Sequence, residues 1–150
     1  MQSFDRDLLI LLHDVARLMR VRFDQRARQR GMTRAQWIIL ARLERQPGLS
    51  QNEMASILEV EPISVGRLID RLEARGMVER RADPADRRIN RLHLLPGAKP
   101  ILDEISVERD LLGAEVLDGI DHTTRSQLVD ALVTMKSNLT DAPAQRAVGE

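Results

Sequence analysis

Two helix-start signatures, seventeen residues apart, constrain this chain more than any other feature. Thr33-x-x-Gln36 and Ser50-x-x-Glu53 are both capping boxes. In such a box the hydroxyl accepts from the N–H three residues on, and the Gln or Glu side chain accepts from the hydroxyl residue's own N–H. Each box follows an apolar residue that can staple onto the helix it opens: Met32 onto Trp37, Leu49 onto Met54. Trp37, Ile38, Leu40, Ala41 and Leu43 carry the earlier helix to Pro47-Gly48, which ends it. Met54, Ile57 and Leu58 give the later one its buried face. Pro62 then suits the first position of a further helix, where its missing N–H costs nothing. Val65, Leu68, Ile69 and Leu72 follow the i, i+3, i+4, i+7 pattern before Gly76 stops it. Two helices joined by a short turn at 59–61 make a helix-turn-helix.

Helical patterning also flanks this unit. Residues 5–30 carry Leu8, Leu11, Leu12, Val15, Leu18, Met19 and Phe23, and Gly31 closes them. From Gly97, Ile101, Ile105, Glu108, Leu112, Val116 and Leu117 lead to Gly119. Asp121 or Thr123 can cap a last helix bearing Leu128, Leu132, Met135 and Leu139, a near-heptad stripe. These outer helices are more apolar than a monomer of 150 residues needs, which predicts a homodimer held by both chain ends. The predicted organisation is one domain over 1–150, with a DNA-binding lobe at 33–96 and dimerisation helices at 5–30 and 97–140. Residues 141–150 read as a frayed, flexible tail. The fold class is mainly α with a small β-hairpin wing: a winged helix-turn-helix flanked by N- and C-terminal dimerisation helices.

Between Gly76 and Gly97, Met77–Arg80 and Arg91–Leu94 alternate as two strands. Asp83-Pro84-Ala85-Asp86 has turn chemistry, and the connection is too long for a tight hairpin, so a projecting and partly mobile loop is expected. Arg81, Arg87, Arg88 and Arg91 surround it. An Arg-tipped hairpin behind an amphipathic helix is what a winged helix presents to DNA. The formal net charge of zero conceals this, because residues 62–92 hold 8 basic and 5 acidic side chains, whereas 93–150 hold 5 and 10. The acidic end is expected to face away from phosphate.

An α-helix fits the B-DNA major groove. The helix opening at Pro62 would enter it N-terminus first, with Ser64 and Arg67 at bases or nearby phosphates and Arg71 at phosphate. Gln51 and Asn52, in the first turn of the preceding helix, can hydrogen-bond the DNA backbone. The wing would place an arginine in the adjacent minor groove, whose negative potential attracts it, while Arg81 and Arg91 position the strands on the backbone. Gly66, mid-helix, costs about 1 kcal/mol relative to Ala. It reads either as room for close approach to DNA or to another helix, or as a tolerated defect.

Other chemistries find little support. The chain has no cysteine, which excludes disulfides and Cys-based zinc sites. His13, His93 and His122 are far apart and share no ligand motif, so no metal is expected. No phosphate loop, nucleophile motif or supported carboxylate pair is present, so neither enzyme activity nor a cofactor is expected. Without a membrane-length apolar run or a leader pattern, the expected location is cytoplasmic.

The order of elements resembles the MarR family of bacterial transcription regulators over roughly residues 5–140. Three segments carry the likeness: Leu49-Ser50-Gln51-Asn52-Glu53-Met54-Ala55, the run from Arg67 to Arg80 with its Leu72-Glu73-x-x-Gly76, and Asp83-Pro84-Ala85-Asp86-Arg87-Arg88 followed by Leu92-His93-Leu94. Thr33-x-x-x-Trp37 and the run after Pro96 look closest to the SlyA-like branch. Leu94-Leu95-Pro96-Gly97 departs from the family's usual Leu-Thr-x-x-Gly, so the fifth helix is expected to start with a kink. The resemblance implies that Asp86 and Arg88 brace the wing while Arg87 inserts, though the two arginines can exchange roles. It also implies a small phenolic or aromatic carboxylate effector between the dimerisation helices and the lobe. His13, Arg17, Arg20, Thr33 and Trp37 are the candidate contacts, with the ring stacking on Trp37 and the carboxylate pairing with Arg17; alternatively Trp37 is only a core anchor. The resulting expectation is a homodimeric repressor of a pseudo-palindromic operator on double-stranded DNA, released by the effector. Two other readings stay open: a winged-helix protein-interaction module that does not bind DNA, and an effector-independent antisilencing or architectural DNA binder.

Overall fold

A computed structural model describes residues 4–146. After a 3-10 turn at Phe4–Arg6, α1 spans Leu8–Gln29. Asp7 Oδ1 accepts from the N–H groups of Leu9 and Ile10 at 3.0 and 3.1 Å, so the helix starts later than residue 5. Both capping boxes form. At α2, Arg34–Arg45, Gln36 N–H donates to Thr33 Oγ1 at 3.2 Å and Thr33 N–H to Gln36 Oε1 at 3.0 Å. At α3, Gln51–Leu58, Glu53 N–H donates to Ser50 Oγ at 3.1 Å and Ser50 N–H to Glu53 Oε2 at 2.9 Å. The helix α4 spans Pro62–Ala74 with Pro62 at its start.

Strands β1, Val78–Ala82, and β2, Asn90–Leu94, pair antiparallel with Val78 opposite Leu94 and Ala82 opposite Asn90. The segment before α3 joins them: Leu92 N–H donates to Leu49 O at 2.9 Å, and Gly48 N–H to Leu92 O at 3.0 Å. These bonds tie the helix-turn-helix and the hairpin into one hydrogen-bonded body. Its centre is Ile39, Leu40, Leu43, Met54, Val65, Ile69, Leu72, Val78 and Leu92, all fully buried. The side chain that α2 turns fully inward is Ile39; Ile38, named from the sequence, is half-buried. Burying such an aliphatic side chain contributes about 1.5–3 kcal/mol, so this cluster is the main source of the lobe's stability.

Two glycines meet at the corner where the hairpin joins the helices on either side of it. Gly76 has φ +70°, and Met77 N–H closes the end of α4 by donating to Leu72 O at 3.0 Å. Gly97 lies in a 3-10 turn, Pro96–Ala98, that packs on this corner; a Cβ there would sit 2.5 Å from Gly76 O. The expected kink is this turn, which runs directly into α5, Lys99–Val116.

The chain divides into two compact units, residues 1–112 and 113–150. Within the first, α5 is held to α1 by ion pairs. Arg26 reaches Glu108, and Arg30 reaches Glu104 at 2.8 Å and Glu108 at 3.1 Å. Glu108 is only 7% exposed, so a buried charge is compensated by two guanidiniums. In the second unit, α6 spans His122–Arg146. Asp121, rather than Thr123, caps it by accepting from Thr124 N–H at 3.0 Å. Arg125 donates to Ile120 O and Leu117 O at 2.7 and 2.8 Å, satisfying carbonyls of the preceding turn. Residues 141–146 continue the helix where the sequence suggested a frayed tail; 147–150 lie outside the described residues. Among the described residues no helix is long and apolar enough to cross a membrane.

Candidate nucleic-acid interface

The exposed side of α4 begins with Pro62, Ile63 and Ser64 and continues through Arg67 and Arg71. Among the described residues, the side chains of Ser64, Arg67 and Arg71 have no hydrogen-bond or ion-pair partner, and neither does that of Asn52 on α3. Glu61, the residue before α4, places no side-chain oxygen on the first-turn N–H groups. Pro62 has no N–H and Ser64 N–H donates to Glu61 O at 2.9 Å, so Ile63 N–H is the first-turn donor left for a phosphate oxygen. Asp70 and Glu73, on the same helix as Arg71, both turn to Arg80 on β1, each at 2.8 Å from its Nη1.

Arg80 organises the lobe, and sequence reasoning missed it. Its Nε donates to Gln51 Oε1 at 3.2 Å and its Nη2 to Gly66 O at 3.0 Å. One guanidinium thus reaches α3, α4 and the wing's first strand. Gln51, read from the sequence as a DNA contact, has both ends of its amide engaged inside the lobe. Its Nε2 also donates to Pro62 O at 3.5 Å, a long bond. Gly66 makes room for this arrangement, since a Cβ there would lie 3.1 Å from Gln51 Nε2. Of the readings left open for Gly66, close approach to a neighbouring helix is the one realised in the chain.

The wing is more ordered internally than its length suggested. The strands run to Ala82 and Asn90, leaving only residues 83–89 as loop. Asp83 accepts at Oδ1 from the N–H groups of Ala85 and Asp86, at 2.7 and 3.2 Å, and its Oδ2 receives Arg91 Nε at 2.7 Å. Arg91 also donates to Gly48 O at 3.2 Å, which anchors the base of the wing to the turn before α3. Nearer the tip, Arg88 forks onto Asp86, Nε to Oδ1 and Nη2 to Oδ2, both at 3.0 Å. The Arg91 bond holds the Asp83 carboxyl below its ordinary pKa, with the two backbone N–H groups adding to the effect. Arg88 does the same for Asp86. Arg81 faces Arg91 across the strands, a like-charge pair that Glu79 and Asp83 each offset on their own side. Arg87 alone among the tip arginines has no partner within the described residues.

The proposed effector residues separate. His13 and Arg17 lie 3.9 and 3.8 Å from Asp14, are well exposed, and do not line the cavity that holds Trp37. Thr33 is occupied by its capping box. Trp37 and Arg20 do line one cavity, of about 520 Å³, together with Phe23, Ile38, Ile57 and Ile105. Trp37 is 3% exposed, and its indole N–H has no hydrogen-bond partner. Among the described residues no three His, Asp or Glu side chains are grouped to hold a metal ion.

Comparison with known proteins accords with this geometry. Residues 30–89, which contain α2 to α4 and most of the wing, match the MarR family. The solved structure of MarR is 23% identical, with a TM-score of 0.82 over 97% of this chain and 99% of that one. The transcriptional regulator SlyA is 27% identical, with a TM-score of 0.77 over 91% and 96%. A putative MarR family transcriptional regulator from Listeria monocytogenes, solved with a 26mer DNA, is 23% identical, with a TM-score of 0.78 over 97% of each chain. Its sequence matches the MarR family over residues 30–89, and its fold over nearly the whole length is similar to that of these transcription regulators.

Proposed function

We propose that the protein works as a homodimeric repressor that binds a pseudo-palindromic operator and is released by a small aromatic acid. The observation that carries the DNA contact is the sorting of arginines within one lobe. Arg80, Arg88 and Arg91 are tied to carboxylates or carbonyls, while Arg67 and Arg71 on α4 and Arg87 at the wing tip remain unpaired. The tied residues hold two elements in fixed relation, and the unpaired ones project toward what those elements meet. In the complex α4 lies in the major groove. There Arg67 and Ser64 reach base edges or nearby phosphates, Asn52 and Arg71 reach phosphate, and exposed Ile63 can meet a thymine methyl. The wing follows the backbone, and Arg87 enters the adjacent minor groove.

Dimerisation is supported by apolar surface that a single chain leaves uncovered. Leu8, Leu9, Leu11, Val15 and Leu18 on α1 are exposed, as are Leu128, Val129, Leu132, Val133 and Leu139 on α6. A monomer rarely exposes patches of this kind. Two-fold symmetry then sets half-sites about one helical turn apart. The cavity at Trp37 supports the effector, which acts if it binds the DNA-competent and incompetent dimers with different affinity. The test is a mobility-shift titration of the operator. Arg67→Ala and Arg87→Ala should each weaken binding about tenfold or more without unfolding the dimer. If both bind like the unmodified protein, the assigned DNA surface is wrong.

A further inference from the structure

We propose that the cavity beside Trp37 takes an aromatic polyanion: a planar ring carrying at least two negative charges, as carboxylates or as a phosphate. The proposal rests on the reading of the chain as a ligand-released regulator and narrows the class of that ligand.

Five arginines line this one cavity: Arg20 from α1, Arg34, Arg42 and Arg45 from α2, and Arg109 from α5. No carboxylate lines it. Arg34 has Asp24 at 3.6 Å, outside the lining; the other four have no ion-pair partner among the described residues. A cavity of 520 Å³ is roughly 10 Å across, close to the Debye length at 0.1 M salt, so these charges act on one another. Two of them, Arg42 and Arg45, stand three residues apart on α2, a spacing at which like charges weaken a helix. A single carboxylate engages one guanidinium in a bidentate fork and leaves the remainder unpaired. A ligand with two or more charges engages a second and relieves the crowding.

The ring is indicated by the rest of the lining. Half-buried Phe23 offers a face for stacking, while Trp37 and the isoleucines close the apolar side. Trp37 lines the cavity with its indole N–H buried and without a partner, an unmet donor that a shift of the ring would turn to an oxygen on the ligand. A volume of 520 Å³ falls within the range of small-molecule sites, which is about 300–1,000 Å³.

Trp37 is the only tryptophan, so its fluorescence reports on this cavity alone. The intact dimer is titrated at low salt with benzoate, phthalate, phenyl phosphate and inorganic phosphate, and calorimetry reads the probes that do not quench. Phthalate or phenyl phosphate should bind at least tenfold more tightly than benzoate, and the tighter of the two identifies the anionic group. The preference should fall below threefold in an Arg42→Gln/Arg109→Gln variant whose thermal unfolding matches that of the parent. Equal binding of benzoate overturns the polyanion class while leaving the ligand-release reading intact. Inorganic phosphate matching phenyl phosphate overturns the aromatic part. A flat response to every probe, or a preference that survives the double substitution, overturns the site itself. Operator release by the same compounds, followed by mobility shift, tests the ligand-release reading separately.

Discussion

Removing Arg80 should damage this lobe more than removing any arginine assigned to DNA, although Arg80 touches no DNA in the proposed complex. In Arg80→Ala two hydrogen bonds to neutral acceptors disappear, to Gln51 Oε1 and to Gly66 O. Each is worth about 1 kcal/mol. Two ion pairs go as well, to Asp70 and Glu73, whose side chains are 66% and 37% exposed. Solvent screening limits each of those to about 0.5 kcal/mol. The loss is therefore about 3 kcal/mol, or a fall in melting temperature of about 6–12 °C for a chain of this size. Thermal and urea unfolding at one fixed protein concentration measures it, since a dimer's stability depends on concentration. Arg80→Lys separates the causes: a lysine keeps a positive charge near Asp70 and Glu73 but cannot span Gln51 and Gly66 at once. It should recover less than half of the loss. Arg71→Ala and Arg87→Ala, on exposed side chains without partners, should stay within about 0.5 kcal/mol of the parent. The reasoning collapses if Arg80→Ala also stays within that margin, or if the lysine variant is as stable as the parent.

The same geometry carries further expectations. Gly97→Ala puts a Cβ against the backbone oxygen of Gly76, which cannot swing aside, and should destabilise the lobe by about 1–3 kcal/mol; an unchanged urea midpoint would count against the close packing of that corner. In the proposed dimer complex Arg67, Arg71 and Arg87 of two protomers would provide six cations, so log K for the operator should fall with log salt at a slope of about −5, and Arg71→Ala should make it shallower by nearly 2; an unaltered slope would remove Arg71 from the phosphate contacts. Asp83 and Asp86 have folded pKa values below their ordinary one. Their bracing is therefore complete above the usual carboxylate range of about 4 and is lost only as pH falls through the lowered values. Carboxyl titration by NMR should accordingly find both below the ordinary value, and a normal value at Asp83 would contradict its bond to Arg91. Substituting aspartate for Leu132 on α6 should shift the protein toward monomer in sedimentation, and an intact dimer would place the interface elsewhere.

Much of this fold was legible because its punctuation is local. A capping box involves residues three apart, and Pro62, Gly31 and Gly76 act on their own backbone, so α1 to α4 could be bounded from sequence. The Asp86–Arg88 fork, two residues apart, was similarly accessible by resemblance. What escaped depends on tertiary register. Arg80 is one arginine among eight in residues 62–92, and its acceptors lie on two other elements. Asp70 and Glu73 have arginines close by on their own helix, yet β1 brings Arg80 to both. Arg91 to Asp83 emerges only once Ala82 is known to face Asn90. The effector candidates divide for a related reason: the rotation of α1 about its axis places Arg20 and Phe23 in the cavity lined by α2 and leaves His13 and Arg17 exposed outside it. The spacing of Arg34, Arg42 and Arg45 along α2 was the unused signal.

Arg80 also sets a length scale. By joining β1 to α3 and α4 through a single planar group, it makes the distance from recognition helix to wing a property of the protein rather than of the complex. In the proposed complex the two groove contacts of a half-site would then be held in one relation rather than adjusted separately. An operator whose groove width or twist does not suit that distance must deform to be bound, and the ease of deformation depends on bases the protein never touches. Sequence preference would then be partly mechanical, with one guanidinium serving as the caliper against which DNA shape is measured.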